Sequence, residues 1–151
     1  MFTPVAFYQN TGYTDSDAQA FLTAASITDT TITNAINELV VGLKGNSLWT
    51  KMIAIYPFVG GTATTHKFNL KDPRDLDTAF RLTFSGTVTH NSNGITPNGT
   101  NGYANTYLIP STSMTNNNTH ISYYSRTNSL SNRIEIGVSM AVSRIVMHLV
   151  S

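Results

Sequence analysis

The chain has no cysteine, so disulfide staples and thiolate nucleophiles or ligands are both excluded. Charge is scarce too: Asp, Glu, Lys and Arg make up 11% of the 151 residues, about half the usual share. From Thr78 to Ile134 there is not one Asp, Glu or Lys. Only two glutamates exist, Glu38 and Glu135, and no strand pattern offers the carboxylate pair, ~5–10 Å apart, that glycoside hydrolysis needs. There is no Gly-x-Ser-x-Gly elbow. His66, His90, His120 and His148 stand singly, without the spacing of a zinc site, and each reads as a structural or surface residue. The glycine pairs are not followed by a helix carrying Lys-Ser/Thr, so they read as turns and not phosphate cradles. These absences point away from an enzyme.

Other partners are thinned out by the same composition. The nine Lys and Arg are scattered, with no basic stripe for a nucleic acid. No apolar run approaches the ~18 residues of a membrane helix, and the opening MFTPVAFYQNTGY has neither the basic nor the apolar region of a secretory signal. Polarity comes instead from 23 Thr and fifteen Asn, which favour strands and turns respectively. With 40% apolar residues, the chain can still build a core.

The pattern changes near residue 52, which divides the chain into an N-terminal segment with a helical hairpin (1–52) and a β domain (53–151). Ala18, Phe21, Leu22 and Ala25 form one apolar stripe of a short helix, with Asp15 or Thr14 as cap and Asp17 suited to the helix dipole. A second helix carries Ile32, Ile36, Leu39, Val40 and Leu43 on one face, with Asp29 or Thr30 capping it. Lys44 and Gly45 form its expected end, and Trp49 is placed in the core at the junction.

Beyond Met52 the signals are β. Strands are expected at Ile53–Tyr56, Ala79–Phe84, Thr87–His90, Tyr103–Leu108, His120–Ser125, Arg133–Ser139 and Val142–Val150, with weak alternation over His66–Leu70. Asn93-Gly94 and Asn98-Gly99 are turn signals. The fold class expected is mainly β with an N-terminal helical hairpin, the β part an antiparallel jelly-roll or sandwich.

The run from Leu48 to Leu108 carries a more specific signal. Trp49-Thr50-Lys51-Met52, Tyr56-Pro57-Phe58-Val59-Gly60-Gly61, Asn69-Leu70-Lys71-Asp72-Pro73 and Asn98-Gly99-Thr100-Asn101-Gly102-Tyr103 together resemble a module of phage and prophage virion proteins. Tyr123–Asn128 resembles that module's next strand. The resemblance implies a tail-fibre or structural protein in which a helix pair leads into a concanavalin A-like, laminin G-like lectin sandwich. It also implies location in the virion. Residues Ser139–Ser151 depart from the family's continuation, so the sandwich is expected to be incomplete in one chain, or shortened. An incomplete sandwich leaves open edges, and the expected partners are copies of the same chain, as a trimer, and other virion proteins.

Two sets of residues are candidate sites. Asn98, Asn101, Tyr103 and Asn105 offer amides for sugar hydroxyls and an aromatic face for a sugar ring, making host glycans a further expected partner. Asp72, Asp75 and Asp77 are the only acidic cluster and could supply oxygen ligands to calcium. No other cofactor is expected.

Overall fold

A computed structural model describes residues 12–115, 117–126, 136–139 and 144–147. Within them the fold is mixed: four α-helices and two small antiparallel sheets of short strands.

Helix α1 (Ser16–Ala24) forms where the sequence stripe places it, and Ala18, Phe21, Leu22 and Ala25 are all buried. Asp15 caps it, accepting the Asp17 N–H at 2.9 Å. Helix α2 (Thr30–Gly45) is capped by Asp29, which accepts the Ile32 N–H at 2.9 Å. It buries Ile36 and Val40, while Leu39 at its margin stays exposed. Gly45 is the last residue of α2, one position earlier than its expected place just past the helix. Both helices stop by the same device, a serine in the left-handed region: Ser26 at φ 54 and Ser47 at φ 57. The next N–H reaches back across the last turn, from Ile27 to the Leu22 carbonyl at 2.9 Å and from Leu48 to the Leu43 carbonyl at 2.8 Å. A single 3-10 turn, Trp49–Lys51, then tucks Trp49 under the hairpin.

The two helices are tied end to end by charge. Lys44 Nζ lies 2.6 Å from both Asp15 Oδ1 and Asp17 Oδ2. The core beneath the hairpin joins Phe21, Leu22, Ile36, Val40 and Trp49 to Phe68 and Leu70, which lie beyond residue 52. The helices therefore fold onto the following segment and share its apolar interior.

Ile53–Tyr56 is not a strand but irregular chain, and the reason is a side chain. The Ile55 N–H is taken by Asn69 Oδ1 at 2.9 Å, where a neighbouring strand would otherwise be needed. Residues 66–70 likewise form no strand. Helix α3 (Ala63–His66) occupies their start, set by reciprocal capping between Thr62 and Thr65, and only an isolated bridge joins Asn69 to Asp72. A 3-10 turn at Asp77–Ala79 shortens the next expected strand.

Strands β1 (Thr83–Ser85), β4 (Tyr103–Asn105), β6 (Arg144–Met147) and β5 (Ile136–Ser139) form a four-stranded sheet in the order β1-β4-β6-β5. Strands β2 (Val88–Asn91) and β3 (Gly94–Pro97) make a separate hairpin, with Asn91 paired to Gly94 across its turn. A second, smaller core holds Leu82 and Ala104, with Tyr56, Phe58, Phe84, Ile95 and Ile136 packed around them. Helix α4 (Pro110–Ser113) starts on a proline, whose missing N–H costs nothing at that position. His120–Ser125 forms no strand. Residues 133–135, 142–143 and 148–150 of the last two expected strands lie outside the described residues, as does His148. No helix among the described residues is long and apolar enough to cross a membrane.

Candidate functional site

The turn before β4 gathers two of the four candidate glycan residues. Asn98 Oδ1 accepts three backbone N–H groups, from Thr100 and Asn101 at 3.1 Å and Gly102 at 3.0 Å. Its amide donates to Asn101 Oδ1 at 2.8 Å, and that oxygen also accepts the Thr87 N–H at 3.3 Å. Both side chains are exposed, yet their oxygens already hold the turn together. Asn105 does similar work on β4, accepting the Tyr107 N–H at 2.9 Å. Tyr103 lies two residues before Asn105 on the same strand, so the two share the outer face while Ala104 points into the core. Asn98 and Asn101 are thus brought into contact, and Tyr103 and Asn105 share a neighbouring face.

The acidic cluster is committed to cations. Arg74 pairs with Asp72 at 2.5 Å, and Lys67 with Asp75 at 2.5 Å. Arg81 bridges Asp75 and Asp77, each at 2.9 Å. The Arg74 guanidinium holds the Asp72 carboxyl below its ordinary range, and Lys67, followed by Arg81, does the same for Asp75. Each carboxylate faces its own positive partner, and among the described residues no three His, Asp or Glu side chains converge to hold a metal ion.

Sequence reasoning missed the arrangement of two histidines. His66, at the end of α3, is 1% exposed, and its Nδ1 lies 3.0 Å from Nδ1 of His90 on β2. The Gly61 N–H donates to His66 Nε2 at 3.1 Å. An acceptor nitrogen carries no proton, so the neutral His66 ring holds its proton on Nδ1 and donates it to His90. His90 in turn carries its own proton on Nε2. A metal shared between the two Nδ1 atoms would need the opposite form of His66, which the Gly61 N–H opposes. Burial, with the facing His90 ring adding to it, lowers His66 to about 4, and burial also lowers His90. Phe58 meets His66 edge-on at 5.8 Å, and Phe84 meets His90 edge-on at 4.5 Å. No sequence spacing signals this pair, because its members are far apart and belong to different elements.

A broad open cleft of about 1850 Å³ runs between α2, the 53–59 segment and residues 113–115 and 117–126. Leu48, Met52, Ile121 and Tyr123 are among its walls. Leu39, Leu48, Ile121 and Tyr124, all on this cleft, rank among the exposed large apolar side chains of the described residues. No family model, curated protein or solved structure matches the chain.

Proposed function

We propose that this chain is a non-enzymatic structural or adhesion component of a phage particle, of the tail-fibre or decoration kind, working by assembly with its own copies. The observation that carries the reading is the apolar rim of the open cleft, where Leu39, Leu48, Ile121 and Tyr124 stand exposed together. Large apolar side chains left exposed around one cleft are a mark of association. Strands β1 and β5 end the four-stranded sheet among the described residues, and a sheet end offers hydrogen-bonding groups to a further strand. In this reading a jelly-roll or concanavalin A-like sandwich is completed across chains, with a trimer as the assembly. The paired state of Asp72, Asp75 and Asp77 supports a structural role for them over calcium binding.

Light scattering coupled to size exclusion at micromolar concentration tests the proposal. An oligomer that Leu39→Lys/Leu48→Lys converts to monomer is the expected result, and a monodisperse wild-type monomer overturns it. A glycan-binding module is the second reading, favoured by the exposed ring of Tyr103 beside Asn105. Binding on a glycan array that Tyr103→Ala abolishes would select it. Asn101→Ala is the poorer probe, since it also removes the acceptor of Thr87 and Asn98.

A further inference from the structure

The β2–β3 hairpin is a separate two-stranded unit, and an isolated hairpin of this size needs outside contacts to stay ordered. It meets the Gly60–His66 segment at two places: His90 faces His66, and the Asn91–Ser92 backbone lies close to Gly61. We propose that this histidine pair is an acid-released latch that holds the β2–β3 hairpin on the α3 segment.

The argument rests on the hydrogen-bond directions. At neutral pH each nitrogen in the chain Gly61 N–H, His66 Nε2, His66 Nδ1–H, His90 Nδ1 has one donor facing one acceptor. A proton added to either ring destroys that alternation. On His90 it sets two N–H groups against each other across 3.0 Å; on His66 it sets Nε2–H against the Gly61 N–H. His90 is only half-buried and takes the first proton from solvent, whereas His66 is fully enclosed.

Among the described residues no neighbouring charge offsets the new cation. On the α3 side the nearest ionisable side chain in sequence, Lys67, is engaged with Asp75. On the hairpin, Arg126 donates to Asn93 at the far turn, and Ile95 on β3 is the residue paired with His90. From the 53–59 segment come Phe58 and the buried Tyr56, whose hydroxyl donates to the Phe80 carbonyl, and from β1 comes Phe84. Neither imidazole pairs with a carboxylate among the described residues. Protonation therefore separates the rings and exposes the Phe58 and Phe84 faces that close on them. Burial lowers both rings in the closed state, so each binds a proton more readily once the hairpin has opened, and acid favours the open form as the pH falls below histidine's ordinary value.

Nitrogen-15 NMR of the full chain from about pH 8 to about pH 4 tests this, since histidine titrates in that range. At the upper end, long-range imidazole spectra are expected to show His66 as the Nδ1–H form and His90 as the Nε2–H form. On acidification, amide protection factors of 88–96 and Gly61 are expected to fall while those of α1 and α2 persist. His90→Asn keeps an acceptor and cannot titrate, so its hairpin should hold protection to lower pH than wild type. The opposite His66 tautomer overturns the proposal, as does simultaneous loss of helix and hairpin protection, or an unchanged release point in His90→Asn. Should His90→Asn fail to fold, the tautomers and the order of release in the wild type still decide.

Discussion

Asn69 and Ile55 are joined by a hydrogen bond of 2.9 Å from the Ile55 N–H to the Asn69 side-chain oxygen, and Asn69 is completely buried. That oxygen also accepts the Lys71 N–H at 3.0 Å, while the amide nitrogen donates to the carbonyls of Ala79 at 3.0 Å and Ile53 at 3.4 Å. One side chain thus replaces a strand partner for segments that form no sheet. Removing it takes the side-chain partner from one buried backbone group, the Ala79 carbonyl, and three partly buried ones, at about 1–3 kcal/mol for each that stays unpaired. Asn69→Ala is expected to lose about 3–5 kcal/mol in urea unfolding, and a loss under about 1 kcal/mol would contradict the knot.

Lys44 ties the start of α1 to the end of α2 through Asp15 and Asp17. Partial burial alone would raise the Asp15 carboxyl, but the Lys44 ammonium and the Asp17 N–H hold it below its ordinary value. A depressed carboxyl stabilises the fold above its unfolded pKa, and that contribution fades as the pH falls through the folded value. Lys44→Met is expected to cost about 1 kcal/mol near neutral pH, since the pair is only partly buried. The difference from wild type should shrink in acid and in high salt. Thermal melts of both proteins across pH and ionic strength check this.

The helices were legible because each element carried its own evidence. A four-residue apolar stripe and a capping Asp specify α1, and the same logic specifies α2. β2 was legible as the strand expected at Thr87–His90, but β3 lies in a stretch that reads as turn, where Asn93-Gly94 marks the reversal and not the strand after it. What was not legible depended on residues distant in sequence. Ile53–Tyr56 reads as a strand by composition, and only Asn69, fourteen or more positions away, shows why it is not one. Helix α3 is a single turn, too short for a stripe, though its Thr62-x-x-Thr65 cap was readable in principle. At the candidate sites, Asn98 and Asn101 matched both a sugar site and a turn, and their bonds show the turn use of their oxygens. His66 and His90 gave no pattern at all.

Two small residues in and after α2 sit in each other's natural places. Gly42 occupies the helix interior with open space where a methyl would go, whereas Ser47 takes the left-handed position that favours glycine. Gly42→Ala and Ser47→Gly are each expected to raise stability by about 0.5–1 kcal/mol. Gly86→Ala should do the reverse and strongly. Its φ is 67, and a methyl there would collide with the Asn101 carbonyl oxygen. Denaturant midpoints of the three variants give the comparison, and a neutral Gly86→Ala would refute the close approach of the two loops.

Trp49 is the sole tryptophan, and it is buried in the core that the hairpin shares with Phe68 and Leu70. Lys71 Nζ sits 4.3 Å and Lys44 Nζ 5.7 Å from its ring centroid, so lysines from both sides of residue 52 close over one indole. Its emission therefore reports whether the helices are docked on the 53–70 segment. Unfolding followed by Trp49 fluorescence and by helical circular dichroism is expected to coincide, because one apolar core serves both sides of that boundary. Phe68→Ala should move both curves together, by about 3–4 kcal/mol for a buried phenylalanine. If the helical signal kept its wild-type midpoint while the fluorescence shifted, the hairpin would be an independent folding unit and the shared core would carry no cooperativity.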